Sequence, residues 1–549
     1  MDMNDSWKRL KNAGYRTRLY RYTLERRRIG QLDFLPRDPW PGNVDQANEL
    51  FRGRYRFAGR EAHAPNQPPW RLRPDDVEWL AELHGFEWLR HLEAAGGDAA
   101  RSLACRLVRS WIDLCGDIDG IAWTPGVVGR RLVAWLTHGR LLLKGGGEKF
   151  AETYQSSVAL QWQHLQRTHV DAAFGFDNLS ALLGLSHGAL AQAGENDALS
   201  RYLQQLESLI SYQVLPDGGY SSRAPSDTHT ILRQLIALRE AISESGSAPP
   251  AWLRDKIALM VAPIRGLRHG DGGLALFNGG FEEDSDSVDL TLSKAGEKGR
   301  ALVSATQSGY QRLAAGRAVL LAETAAPPAD TWGGTAHSGG GGFELSIGKH
   351  RLVVNCGSGR HRNLDWLEAA RTTAAHSTLQ VAAANAWPIL PDGGFGPNPV
   401  RLHCRRLEDE LGNTWLDMHH DGYKHRFGST HRRRLYLDAL GTDIRGEDCL
   451  EISQAGRSAA AASENTIAVR FHLHPGVQAS AVHGGSAVLL RLGDGKGWRF
   501  RASGAQISMQ DSIYLGQRER IRRAQQIVLS ATSKEDGAII KWAFQQVNP

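Results

Sequence analysis

The sequence lacks the features of membrane-spanning and disulfide-stabilised proteins. No apolar run approaches the roughly 20 residues that span a bilayer. The basic residues 1–30 are not followed by the apolar segment and small-residue cleavage site of a secretory signal. The 5 cysteines are an odd number at irregular spacing without a C-x-x-C pair, which argues against a disulfide framework and a cysteine-rich zinc site. These absences predict a soluble protein in a reducing compartment, the cytoplasm.

The charge of the chain says little about its partners. A net charge of +6 is small for 549 residues and is spread over many arginines. Such a field favours polyanions without distinguishing acidic polysaccharide, nucleic acid and anionic membranes, and no tract specific for nucleic acid is present. The basic N-terminal segment is interpreted either as a weak membrane-surface helix or as a solvated, frayed helix. Its basic residues are Lys8, Arg9, Lys11, Arg16, Arg18, Arg21, Arg26, Arg27 and Arg28.

The first half of the chain has the apolar period of helices. After a Pro-rich connector, apolar residues from Trp79 to Leu92 recur at helical spacing until Gly96 and Gly97 interrupt them. Short connections rich in Gly, Pro, Asp or Asn indicate antiparallel neighbours, and so an array of helical hairpins. The further helices are predicted at 103–114, 130–143, 154–168, 179–192, 199–213, 228–243 and 251–266.

From about Leu302 the apolar period changes to two. Segments of about 5 to 8 residues, punctuated by Gly, Asp and Asn, predict an antiparallel β-sandwich. Helices followed by strands predict two segregated domains. We therefore expect a basic segment with its connector at 1–64, a helical domain at 65–290 and a β-domain at 291–549. A glycine-rich and acidic linker is expected at 270–300.

Two histidines and a run of glycines form the first candidate site. His337 and His376 flank the strand-like residues 352–355 and are expected on neighbouring strands. Glycines 339–342 allow a ligand or another backbone to approach closely. The alternative is a β-rich core with two hydrogen-bonded histidines and a flexible loop.

Four motifs resemble those of the heparinase II/III family of polysaccharide lyases. They are QVLPDGGYSSRAP at 213–225, AHSGGGGFEL at 336–345, HRLVVNCG at 350–357 and RTTAAHSTL at 371–379. The resemblance covers nearly the whole chain and implies an N-terminal (α/α) toroid with a C-terminal β-sandwich. It also implies β-elimination on a uronate-containing glycan in the cleft between toroid and sandwich. That reaction needs donors at the uronate carboxylate, a base for the C5 proton and an acid for the leaving oxygen.

The resemblance also assigns roles to individual residues. Asn178 matches the asparagine that binds the substrate carboxylate, although a helix cap is the other interpretation. Asp227 stands where the family has its catalytic tyrosine, so Tyr220, in the same loop, is the candidate acid or base. His337 matches the second histidine of the family's HxH, with Thr335 in place of the first.

Further residues are candidates for substrate and metal binding. We expect Arg223, Arg371, His376 and His472 to bind substrate, because arginine binds carboxylates and sulfates bidentately. A polar outer face of the sandwich is the alternative for Arg371 and His472. Trp123, Trp135 and Tyr423 could stack on sugars or lie in the core. In family members that bind zinc, the positions of His337, Asn355 and His376 hold the metal. The alternative is a direct hydrogen bond between the two histidines.

Three functions compete at this point. The leading hypothesis is a lyase acting on an acidic polysaccharide or oligosaccharide. The second is a non-catalytic glycan-binding or envelope-associated relative that lost the tyrosine, and the family places such a protein in the envelope or periplasm. The third is a glycoside hydrolase using carboxylates such as Asp217 and Asp227.

Overall fold

Helices and strands segregate along the chain. A computed structural model describes residues 11–547 except 12, 26–31, 73, 75, 297, 329–331, 333, 361–363, 392, 396–400, 453–464 and 534–535. Among these residues, no helix is both long and apolar enough to cross a bilayer. The described α-helices are α1 Arg18–Glu25, α2 Val44–Phe51, α3 Val77–Gly85, α4 Leu89–Ala95, α5 Gly97–Cys115, α6 Pro125–Thr137, α7 Gly139–Gly146, α8 Glu148–Thr168, α9 Phe176–Ala191, α10 Asn196–Gln213, α11 Pro225–Glu244, α12 Ala251–Gly266, α13 Ser285–Ala295, α14 Leu364–Arg371 and α15 Lys424–Phe427.

Apart from a hairpin, the described strands form two antiparallel sheets. The strands are β1 Arg54–Phe57 and β2 Arg60–His63 in the hairpin, then β3 Ser304–Ala305, β4 Tyr310–Ala315, β5 Ala318–Glu323, β6 Phe343–Ile347, β7 His350–Val354, β8 Leu379–Val381, β9 Leu402–Glu408, β10 Thr414–His420, β11 Ser429–Leu437, β12 Asp443–Ile452, β13 Thr466–Leu473, β14 Gln478–Val482, β15 Ala487–Arg491, β16 Gly497–Ser503, β17 Gln506–Gln517, β18 Arg520–Thr532 and β19 Ala538–Gln546. One sheet has the order β14-β15-β16-β19-β12-β11-β10-β9, and the other has the order β17-β18-β13-β7-β6-β5-β4-β3, with β8 also paired to β13.

The two sheets share one apolar core. Burial alternates along β11, as expected for a strand with one face in a core. Phe343 of β6 stacks on Trp542 of β19, with ring centroids 5.5 Å apart, so side chains of both sheets interdigitate. The predicted antiparallel sandwich is therefore present.

The chain divides into two compact units that alternate along the sequence. The first comprises residues 1–213 and 234–255, and the second comprises 214–233 and 256–549. In the first unit, helices α6 and α9 approach closely: a Cβ on Gly129 would lie 2.1 Å from the Ser180 carbonyl oxygen. The buried guanidinium of Arg131 lies 4.0 Å from the centroid of the Trp111 ring. The predicted domain boundaries stay a prediction.

Two local expectations were wrong, and one open alternative is decided. The apolar run from Trp79 to Leu92 forms two helices, since Phe86 between them adopts a left-handed conformation with φ 61°. Part of the predicted linker at 270–300 is buried or helical: residues 273–281 are buried, and α13 follows with Asp284 as its N-cap. Of the two alternatives for Trp123, Trp135 and Tyr423, the structure shows the second, because all three are buried core residues.

Candidate functional site

The centre of the candidate site is a hydrogen-bonded pair of histidines in the second unit. His337 Nδ1 and His376 Nε2 are 3.1 Å apart, and both residues are 1% exposed. Neither histidine lies on a strand, contrary to expectation: His337 is in the loop before β6 and His376 follows a short 3-10 turn. The pair is thus formed by two loops.

The partners of the pair fix its tautomers. His376 Nδ1 is 2.8 Å from the Thr372 carbonyl oxygen, which can only accept, so Nδ1 carries the ring proton. Burial lowers the pKa of His376 to about 4, and burial, followed by the unfavourable interaction with a protonated His376, lowers the pKa of His337 well below its usual range. Both rings are therefore neutral at pH 7. His376 Nε2 accepts from His337 Nδ1, which leaves the Nε2 lone pair of His337 as an acceptor.

A second group of buried polar residues continues from His337. Its backbone N–H donates to Asn278 Oδ1 at 3.3 Å, and Asn278 Nδ2 donates to Glu323 Oε1 at 2.7 Å. Arg223 Nη2 donates to the same oxygen at 3.0 Å. Burial raises the pKa of Glu323, against the opposing charge of Arg223. Arg223, predicted to bind substrate, is instead 6% exposed and bound to Glu323.

Tyr220 and the aspartate in the tyrosine position are also buried. Tyr220 is 0% exposed, its ring lies edge-on to Trp332 at 5.2 Å, and burial followed by the charge of Asp227 raises the pKa of its hydroxyl. Asp227 accepts from Ser222 Oγ at 2.7 Å and from Arg360 Nη1 at 3.2 Å. The substituted carboxylate therefore has a structural ion pair.

Asp217, the other carboxylate proposed for hydrolysis, closes a turn. One oxygen accepts from the backbone N–H groups of Gln307 and Ser308, at 2.9 and 2.7 Å. The other accepts from the Ser308 hydroxyl at 2.6 Å and the Gly219 N–H at 3.2 Å. Its lone pairs are directed at protein donors rather than at a substrate.

The residues in the metal position do not fit zinc. Asn355 Oδ1 accepts from the Ser377 N–H at 3.1 Å, and its Nδ2 donates to Glu344 Oε1 at 3.2 Å. The amide is neutral and both its polar atoms are bonded, whereas zinc sites use His, Cys and carboxylate ligands. Among the residues that the structure describes, no three His, Cys, Asp or Glu side chains are grouped to hold a metal ion. The direct histidine hydrogen bond is the arrangement observed.

The four glycines allow close packing rather than entry of a ligand. A Cβ on Gly339 would lie 2.5 Å from the His376 ring, and one on Gly340 would lie 2.3 Å from the Trp387 ring. From β11, Arg433 Nη1 donates to the Gly341 carbonyl at 2.9 Å and the Ser377 carbonyl at 2.7 Å. Arg433 thereby ties the glycine loop to the loop that carries His376.

The other predicted binding residues are placed separately. Arg371, at the end of α14, donates from Nε to the Ala336 carbonyl at 2.8 Å and so positions the residue before His337. His472, on β13, has its Nε2 2.9 Å from the Ala374 carbonyl oxygen, and burial lowers its pKa to about 3. Asn178 belongs to the first unit and lies within α9 rather than at its cap, with Oδ1 accepting from Gln213 Nε2 at 3.4 Å.

Sequence reasoning missed Asn278, Glu323 and Arg360. Asn278 lies in the segment assigned to a linker, and the Asn-Gly dipeptide that it forms with Gly279, which is typical of a turn, was the available signal. Its φ of 49° is left-handed, a conformation that asparagine tolerates better than most residues. Glu323 ends an apolar strand, where a carboxylate is unexpected without a partner. Arg360 carries no such signal, since its pairing with Asp227 spans 133 residues.

Sequence comparisons match part of this chain to a family model and most of it to a relative. Residues 297–543 match the family model of the heparinase II/III-like C-terminal domain. FtsZ-localized protein C of Caulobacter vibrioides is 29% identical over 525 residues, which cover 92% of this chain and 89% of that protein.

Solved structures agree on the fold at low identity. A heparinase III structure matches with a TM-score of 0.73 at 13% identity, covering 96% of this chain and 89% of that chain. Heparan sulfate lyase HepC from Pedobacter heparinus matches with a TM-score of 0.61 at 14% identity, and the match covers 98% of this chain and 88% of that chain. The predicted fold class, an (α/α) toroid followed by an antiparallel β-sandwich, is confirmed.

Proposed function

We propose that this chain, a heparinase II/III-like protein by its C-terminal domain and its fold, binds an acidic polysaccharide without cleaving it. The observation that carries the proposal is the burial of the candidate acid and base. Tyr220 is 0% exposed and His337 is 1% exposed. A polymer has to bring its C5 proton and its glycosidic oxygen within about 3 Å of such groups.

Both substituted positions also support the absence of elimination. Asp227, in the tyrosine position, is an acceptor paired with Arg360. Thr335, in the position of the first histidine, donates from its hydroxyl to the Trp332 carbonyl at 3.3 Å. Each replacement removes a proton-transfer group and contributes a contact within the protein. β-Elimination by Tyr220 and His337, which the sequence alone favoured, would require this buried region to open.

Polysaccharide binding is supported by the fold. The solved structures with this fold include heparan sulfate lyase HepC and a heparinase III. Loss of the proton-transfer groups does not by itself remove binding, because substrate contacts remote from the reacting atoms are made by other residues.

One experiment tests both parts of the proposal. The purified chain is incubated with heparan sulfate, chondroitin sulfate and alginate, and the ultraviolet absorbance of unsaturated uronate is followed while binding is measured by calorimetry. We expect binding to at least one glycan with no rise in absorbance. A rise that disappears in both Tyr220→Phe and His337→Ala would instead establish elimination, and no binding to any of the three would refute the proposal.

A second candidate function is association with FtsZ. The match to FtsZ-localized protein C favours it, since the alignment covers 92% of this chain and so includes residues of both units. Co-sedimentation with polymerised FtsZ tests it. We expect the chain in the pellet only when polymers form, and equal recovery without polymers would contradict this function.

A further inference from the structure

The outer face of the eight-stranded sheet carries a groove of about 580 Å³. It lies over β10, β11, β12, β19 and β16, where alternate residues face away from the apolar core. The residues that carry its chemistry are Trp415, Arg434, Tyr436, Arg445, Arg501 and Lys541.

Side chains of the groove form a row across the strands. Trp415 is opposite Tyr436, Tyr436 is opposite Arg445, and Ala543 separates Arg445 from Arg501. The row crosses five strands, or four strand spacings, and is about 19 Å long. The rings of Trp415 and Tyr436 are 5.1 Å apart and partly exposed. Aromatic side chains thus occupy one end of the row and guanidinium groups the other.

The groove is positively charged. Its lining has four cationic side chains and one carboxylate, Glu447, which Arg434 and Lys541 share at 3.4 and 3.5 Å. The side chain of Arg445 is 60% exposed although it pairs with Asp443. Arg501 is exposed, and the described part of the chain offers it no carboxylate partner. Ion pairs on this face therefore leave positive charge uncompensated.

We propose that this groove is the binding site for an acidic polysaccharide segment, an inference that rests on the proposed function. Trp415 and Tyr436 offer flat, partly apolar faces to the C–H surfaces of sugar rings. Arg445 and Arg501 offer planar donors to the carboxylates or sulfates of later sugars. The extended row suits a linear polymer with repeated negative charge, and the site lies on a different sheet face from the buried histidines.

The test titrates a heparan sulfate hexasaccharide into the full chain, with maltohexaose as a neutral oligosaccharide of the same length. The double variant Arg445→Ala/Arg501→Ala is compared with Arg523→Ala, which removes an exposed arginine from β18 of the other sheet. We expect the double variant to lose affinity on the order of tenfold per arginine. Trp415→Ala should weaken binding without changing its salt dependence, and Arg523→Ala and maltohexaose serve as negative controls. Unchanged thermal midpoints show that the variants fold.

Each failure has its own meaning. If the parent chain binds the hexasaccharide and the double variant binds it equally well, the groove is not the binding site, and the proposed function is unaffected. If Arg523→Ala loses as much affinity as the double variant, the glycan is attracted by the overall positive charge, and the groove is not a specific binding site. If the parent is a dimer that the double variant dissociates, the groove is an interface between copies. If the parent binds no acidic glycan, the proposed function itself is refuted.

Discussion

At the scale of single residues, burial replaces reactivity in the histidine pair. His337 and His376 are held neutral by burial, and three of their four ring nitrogens are hydrogen-bonded to each other or to Thr372. A residue type associated with proton transfer near neutral pH here contributes a fixed pattern of donors and acceptors. Substitution of either histidine is therefore expected to change the free energy of unfolding.

We expect the stability of the chain to depend on pH through His376. Its pKa is about 4 in the folded chain and about 6.5 when unfolded, so the unfolded state binds more protons between these values. The contribution is present above about pH 6.5 and is lost as the pH falls towards 4. In His376→Gln, the slope of unfolding free energy against pH should fall by about 1.4 kcal/mol per unit. Urea denaturation at several pH values measures this slope.

The exposed His425 supplies the control for this measurement. His425→Gln changes a histidine outside the buried pair and should leave the slope unchanged. A His376→Gln variant with the slope of the parent would show that His376 is protonated equally in both states.

Neighbouring arginines on β11 are expected to differ in their effect on stability. Arg433 is 1% exposed and binds both oxygens of buried Asp448, at 2.7 and 3.0 Å. Arg433→Met leaves that carboxylate without its cation and should cost about 3 to 5 kcal/mol. Arg434, whose side chain is 48% exposed, pairs only with exposed or half-buried carboxylates. Arg434→Met should lower the free energy of unfolding by under about 1 kcal/mol. If urea denaturation shows equal losses for both variants, the Arg433–Asp448 pair does not stabilise the fold more than the pairs of Arg434 do.

At the scale of elements, periodicity predicts regular structure and fails at loops. The helix predicted at 251–266 is α12, and the helix predicted at 199–213 is α10 with three more residues at its start. Apolar spacing determines such helices locally. The acidic residues before α13 were assigned to a linker although Asp284 caps that helix.

The candidate site was predictable only in part for the same reason. The pairing of His337 with His376 could be expected from the family resemblance. The contacts that bury them, from Asn278, Arg371 and Arg433, join distant loops. No periodic pattern in one sequence records such contacts.

The N-terminal helix α1 is the element on which membrane contact can be tested. Leu19 is 74% exposed and Tyr22 is 53% exposed, one turn apart, whereas Leu24 is buried. Arg16 and Arg21 form exposed ion pairs with Asp119 and Asp117. Leu19→Glu should lower binding to anionic lipid vesicles roughly tenfold, since burial of a leucine contributes about 1.5 to 3 kcal/mol.

Vesicle co-sedimentation measures that binding. Leu440→Glu changes a leucine of similar exposure, 73%, and should sediment as the parent does. If Leu19→Glu also sediments as the parent does, α1 does not insert its apolar residues into the membrane surface.

At the scale of the whole molecule, the second unit needs residues that precede β3 in the chain. Buried Glu323 is paired with Arg223 and Asn278, and buried Glu344 is paired with His269. A fragment of residues 291–549, the predicted β-domain, lacks these partners and leaves the carboxylates uncompensated. We expect it to show no cooperative thermal transition in near-ultraviolet circular dichroism.

A fragment of residues 214–549 contains those partners and should unfold cooperatively. If the shorter fragment unfolds at the same thermal midpoint as the full chain, residues 214–290 are dispensable for its stability. The predicted β-domain at 291–549 then folds on its own.

The alternation of the two units along the chain also orders events during synthesis. Arg223 leaves the ribosome 100 residues before Glu323, its buried partner, so at 5 to 20 residues per second it waits about 5 to 20 s. During that interval the nascent segment at 214–233 has no completed sheet to join. The second unit is therefore completed only after its last described strand, β19, has been synthesised.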